Sequence, residues 1–82
     1  SGINDNPALA ASSYYLQQRI NLAHMQAGVT IVDPKNTYIG PHVSIGHDVV
    51  IYPNTCLFGD TKIADGTVVA PGTVLTNGKI GL

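Results

Sequence analysis

From Ile39 onward an aliphatic residue recurs at every sixth position: Ile39, Ile45, Ile51, Leu57, Ile63, Val69 and Leu75. Two residues before each stands Thr37, Val43, Val49, Thr55, Thr61, Thr67 or Thr73. Side chains alternate direction along a strand, so each pair shares a face and each unit is a short strand with two inward positions. Between units lie Gly40-Pro41-His42, Gly46-His47-Asp48, Tyr52-Pro53-Asn54, Phe58-Gly59-Asp60, Ala64-Asp65-Gly66 and Ala70-Pro71-Gly72, which are rich in residues that preset a turn or tolerate positive φ. The pattern predicts a corner every six residues.

Strands this short cannot bury an apolar face alone and must stack. Three hexads close a triangular coil, which sets Thr37-Tyr38-Ile39 beneath Thr55-Cys56-Leu57 and then Thr73-Val74-Leu75. The expected architecture is mainly β, a parallel β-helix over residues 29–82, with its hand left open by the spacing. The period fails after Leu75, since Gly81 takes the next aliphatic site, and Thr76 to Leu82 is expected to offer an open edge that invites pairing with another chain. Tyr38, Cys56 and Val74 point outward on one face, Ser44 and Lys62 on a second, and Val50 and Val68 on a third. The apolar ranks among these predict cover by a helix or by neighbouring subunits of a threefold assembly.

Ahead of the hexads, Asn6-Pro7 forms an N-cap followed by proline at the first helical position, and neither proline nor glycine recurs until Gly28. Residues 7–28 are expected to form one helix with its terminal glycine, roughly 30 Å long. Leu9, Leu16, Ile20, Ala23 and Ala27 make its apolar stripe, widened by Tyr14 and Tyr15, while Gln17, Gln18, Asn21 and Gln26 take the opposite side. Val29-Thr30-Ile31-Val32 then forms a strand, and Asp33-Pro34 turns the chain into the first regular hexad.

A length of 82 residues bounds this to one small domain, and a net charge of −1 with four scattered basic residues offers no footprint for nucleic acid or an anionic membrane. One cysteine, Cys56, rules out an internal disulfide framework and fits a reducing cytoplasm. No signal peptide or membrane-length apolar run occurs. Ser1 is expected to be an expression remnant, and the chain a fragment.

Gly2-Ile3-Asn4-Asp5, a long helix ending in Ala27-Gly28-Val29-Thr30-Ile31, then Asp33-Pro34, Thr37-Tyr38-Ile39 and hexads, together resemble the bacterial family of bifunctional N-acetylglucosamine-1-phosphate uridyltransferases and glucosamine-1-phosphate N-acetyltransferases. The resemblance implies a left-handed β-helix and a homotrimer. It implies that 1–6 end a uridyltransferase domain, that 7–28 form the connecting helix, and that 29–82 open an acetyltransferase solenoid. The family acetylates glucosamine 1-phosphate with acetyl-CoA and then uses UTP to make UDP-N-acetylglucosamine for peptidoglycan. By resemblance, Asn4 helps hold Mg²⁺ and the sugar nucleotide. The family's catalytic histidine and coenzyme A contacts correspond to no position here, so the chain is expected to be an inactive structural and trimerisation piece that binds no cofactor itself.

His42 and His47 stand five apart at successive corners, a spacing also found in trimers of the γ-class carbonic anhydrase kind. The alternative reading is thus a small trimeric hexapeptide-repeat acyltransferase or such a metalloenzyme, with imidazoles meeting around zinc. A third histidine at suitable spacing is missing, because His24 falls on the helix, and none of the three is expected to be catalytic. Cys56, midway along its strand, is expected to pack at an interface. An ice-binding array needs outward threonines, whereas these threonines occupy inward positions.

Overall fold

The computed structural model describes residues 6–81. Helix α1 (Pro7–Gln26) starts where Asn6 caps it, the Asn6 side-chain oxygen accepting from Ala8 N–H at 2.9 Å and Leu9 N–H at 3.4 Å. Ala27 closes it, and Gly28, at φ 100°, turns the chain out of the helix. Among the described residues nine short strands follow: β1 (Thr30–Ile31), β2 (Thr37–Ile39), β3 (Ser44–Ile45), β4 (Val50–Ile51), β5 (Thr55–Phe58), β6 (Lys62–Ile63), β7 (Val68–Val69), β8 (Val74–Thr76) and β9 (Lys79–Ile80). They form three parallel sheets in the orders β1-β4-β7, β2-β5-β8 and β3-β6-β9. The result is a β-helix-like solenoid in which the chain visits each sheet once per coil.

Register follows the hexads. Thr37 pairs with Thr55, and the column Ile39, Leu57, Leu75 is continuous through β2, β5 and β8. Ile39, Val49, Ile51 and Leu57 are fully buried, with Ile31, Val43, Ile63 and Val69 beside them in one core.

Two coils depart from eighteen residues, and each departure is absorbed at a corner. Ile31 pairs with Ile51, twenty residues on, because a 3₁₀ turn at Pro34–Asn36 takes up the excess. Ile63 pairs with Ile80, seventeen residues on. Asn77 adopts φ 53° and shortens that corner, its side chain accepting from Asp60 N–H at 2.8 Å. The expected break after Leu75 is therefore a one-residue deletion: Ile80, not Gly81, fills the inward site, and the coil continues through β9.

The threonines do more than fill space. Thr55, Thr61, Thr67 and Thr73 each donate a hydroxyl hydrogen bond to a carbonyl three residues back, at 2.7 to 2.8 Å, and Thr37 donates to Asp33 O. Each pins its corner, and Thr37, Thr55 and Thr61 are themselves buried. Asp48 and Asn54, at φ 58° and 65°, occupy equivalent corner positions, consistent with the tolerance of Asp and Asn for left-handed backbone.

Candidate functional site at the helix–solenoid junction

Helix α1 meets the first coil through amides. Gln17 Oε1 accepts from Ile39 N–H at 3.2 Å, and Gln17 Nε2 donates to Asn21 Oδ1 at 2.6 Å. Asn21 Nδ2 donates to Pro34 O at 2.9 Å and Thr37 O at 3.2 Å. Asn21 is 1% exposed, while Leu16 is 56% exposed and Leu9, Ala23 and Ala27 also face solvent. This corrects the expected apolar stripe, of which Ile20 alone packs against the core, joined by Met25.

The physical reason lies in β2. As the edge strand of its sheet, it turns half of its N–H and C=O groups away from β5, and a buried backbone group left unpaired is costly. Polar side chains meet that need and leucines cannot. Among the described residues no buried side-chain nitrogen or oxygen lacks a partner.

Beside the clasp a groove of about 410 Å³ opens between α1 and the outer face of β2 and β5, lined by Tyr14, Gln17, Asn36, Tyr38, Asn54 and Cys56 among others. Tyr38 stacks at a tilt on Phe58, ring centres 5.1 Å apart. Cys56 is a half-buried free thiol on this wall. Tyr15 stands outside the groove, exposed, with the Arg19 guanidinium 5.8 Å from its ring centre. Higher on the solenoid, Val68 and Val74 remain 62% and 63% exposed, so α1, which packs on β1 and β2, leaves the upper members of the expected apolar ranks open.

The histidines do not converge on one centre. His24 is half-buried near the end of α1, and burial lowers its pKa below the usual imidazole value. His42 is exposed at a corner. His47 has Nδ1 3.1 Å from Asp48 Oδ2 and Nε2 3.1 Å from Asp65 Oδ2, and its backbone N–H donates to Asp65 Oδ1 at 2.9 Å. The Asp48 hydrogen bond, followed by the Asp65 charge, raises its pKa. With both ring nitrogens facing carboxylates, His47 is best satisfied as the doubly donating imidazolium, a form with no lone pair for a metal. Among the described residues no three His, Cys, Asp or Glu side chains are grouped to hold a metal ion. Asn4, expected to contact Mg²⁺ and nucleotide, lies outside the described residues.

The residues missed from sequence are Gln17, Asn21 and Asp65. Gln17 and Asn21 are four apart, one turn of helix, which places two amides side by side; that spacing was the available signal.

The shared sequence decides the family. Bifunctional protein GlmU of Bacillus velezensis is 55% identical over 56 residues, covering 68% of this chain and 12% of the relative. The Bacillus subtilis protein of that name is 52% identical over the same shares, and that of Clostridium botulinum 55% over 53 residues, 65% of this chain and 12% of its own length. Over that segment the chain belongs to the GlmU family. It spans about an eighth of the length of these GlmU relatives. No protein-family model matches it. No helix among the described residues is long and apolar enough to cross a membrane.

Proposed function

We propose that this chain is the junction of a bifunctional enzyme that acetylates glucosamine 1-phosphate with acetyl-CoA and transfers uridyl from UTP to give UDP-N-acetylglucosamine. In this reading residues 1–6 end the uridyltransferase domain, 7–28 connect, and 29–82 open a left-handed acetyltransferase β-helix in the cytoplasm. The observation that carries it is the 55% identity to GlmU over 56 residues of a chain in which a helix is seated directly on the first coil of a solenoid. The uncovered valines Val68 and Val74 suit a homotrimer, whose subunits would bury them. Asn4 is the position expected to contribute to the Mg²⁺ and sugar-nucleotide site, where an oxygen ligand fits that cation; acetyl-CoA belongs to later coils of the whole enzyme. The chain itself serves as a structural and trimerisation piece.

The test is direct. The purified chain is expected to show neither acetyl transfer from acetyl-CoA to glucosamine 1-phosphate nor uridyl transfer from UTP, and turnover of either kind would overturn the inactive role. Light scattering should return a trimer, and a monomer at high concentration would refute the assembly. The rival metalloenzyme reading requires His47 to free one ring nitrogen from its carboxylate, and no observation favours it.

A further inference from the structure

Asn77 is followed by Gly78, and no other asparagine of the chain precedes a glycine. That pair carries latent chemistry. The backbone nitrogen after an asparagine can attack the side-chain amide and close a succinimide ring, and glycine, with no Cβ, shields that nitrogen least. Here the solenoid clamps both reacting groups to the coil beneath. Asn77 Oδ1 accepts from Asp60 N–H at 2.8 Å, and Gly78 N–H donates to Thr61 Oγ1 at 3.2 Å. The flanking backbone is tied down too, Asn77 N–H donating to Phe58 O at 3.2 Å and Gly78 O accepting from Lys62 N–H at 2.9 Å. Ring closure requires the amide to leave Asp60 and the Gly78 nitrogen to leave Thr61. Every one of these contacts runs downward, so none depends on what lies above.

The single Asp-Gly pair, Asp65-Gly66, is held in the same way. Asp65 Oδ1 accepts from His47 N–H at 2.9 Å, and Gly66 N–H donates to His47 O at 2.9 Å. In both latches the side-chain oxygen lies over a glycine of the lower coil, Gly59 or Gly46, where an added Cβ would collide with it. The Asn77 latch is the weaker, because its glycine N–H meets a hydroxyl at 3.2 Å and not a carbonyl at 2.9 Å.

We propose that Asn77 is a self-modification site that the coil beneath keeps shut, with the Thr61 hydroxyl as the group that guards it. When the corner opens, the Gly78 nitrogen gives its proton to hydroxide and attacks Asn77 Cγ; the Cγ–Nδ2 bond breaks and ammonia leaves with a proton from water. Water then opens the ring. Addition at Cγ gives aspartate on an ordinary backbone, whereas addition at the main-chain carbonyl gives isoaspartate, whose backbone runs through Cβ. The net change is one water consumed and one ammonia released. The two products differ in consequence. Aspartate fits the left-handed corner, as Asp48 does at φ 58°, and its carboxylate still accepts from Asp60 N–H. Isoaspartate lengthens by one carbon the corner that sets Ile80 over Ile63, so it opposes the pairing of β9 with β6. This inference does not rest on the enzymatic reading.

Peptide mapping by mass spectrometry after incubation at mildly alkaline pH in heavy-oxygen water counts the aspartate and isoaspartate formed at position 77. The parent, Thr61→Val, Thr61→Ser and Thr55→Val are compared, the last removing an equivalent buried hydroxyl from a different corner. The folded parent is expected to react about tenfold or more slowly than the same chain in urea. Thr61→Val should react about 2- to 10-fold faster than the parent, while Thr61→Ser, which keeps the hydroxyl, and Thr55→Val stay near the parent rate. A folded parent reacting at the urea rate, or a Thr61→Val no faster than the parent or than Thr55→Val, overturns the proposal. Should Thr61→Val not fold, hydrogen exchange in the parent decides: Gly78 N–H protected about tenfold or more relative to an open amide supports the guard, and exchange at the open rate overturns it.

Discussion

Inside the coils, Ile39, Leu57 and Leu75 stack in register, and each storey repeats the chemistry of the one below. At the base the repeat stops and the chemistry changes: two amides of α1 take the place of a strand, and leucines on that helix face solvent. The contrast teaches that a solenoid interior and a solenoid end pose different problems. The interior must bury apolar area, whereas the end must also satisfy backbone groups that no longer have a neighbour.

The interior should respond most. Leu57→Ala empties a fully buried site in the middle storey, with an expected loss of about 2–5 kcal/mol in urea unfolding; a loss confined to a few tenths would deny that the column is packed. Next comes Gly46→Ala. An added Cβ would stand 2.6 Å from Asp65 N, backbone that cannot swing aside, so a cost of about 1–3 kcal/mol is expected, and a neutral result would mean the coils are further apart at this corner. Thr61→Val keeps the shape of a buried side chain but removes the hydroxyl that donates to Phe58 O at 2.7 Å and accepts from Gly78 N–H at 3.2 Å. About 1 kcal/mol should be lost there, which separates the corner-pinning role of threonine from its packing.

The smallest effects are the two histidines, which have opposite signs. The folded pKa of His47 lies above its ordinary 6.5, so its contribution is complete below that value and disappears as pH rises through the folded one. His24 is shifted below 6.5 by burial, so its contribution is complete above that value and is lost as pH falls through the folded one. NMR titration of the imidazole carbons should show the two midpoints on either side of the ordinary value, and Asp48→Asn should bring that of His47 down. His47 is exposed and its ion pairs count for little in stability, so a large dependence on pH traced to His47 would be unexpected.

The solenoid was legible because its inward residues are set by a strict period that survives in the sequence as a Thr or Val, a spacer and an aliphatic residue. Even the break after Leu75 carried information, although the deletion that restores Ile80 to the core depends on Asn77 reaching a left-handed conformation, which a count of residues does not reveal. The junction was not legible in the same way. Apolar spacing along α1 selected Leu9 and Leu16 as the buried stripe, yet the surface beneath the helix is an edge strand whose need is for donors and acceptors. Gln17 and Asn21 looked like a solvated face because periodicity measures hydrophobicity and does not register what the neighbour lacks. His47 was correctly placed on an outer corner, but its partner Asp65 arrives from the coil above, eighteen residues later, and only the stacking register brings the two together.

The most direct measurement is a pair of substitutions on α1 compared by denaturant unfolding: Asn21→Leu, which improves the apolar character of the docked face, and Leu16→Gln, which removes it from the exposed one. A junction held by amides predicts a loss of about 1–3 kcal/mol for Asn21→Leu and a change within about 0.5 kcal/mol for Leu16→Gln. A stabilised Asn21→Leu together with a destabilised Leu16→Gln would contradict it and return the helix to its apolar stripe.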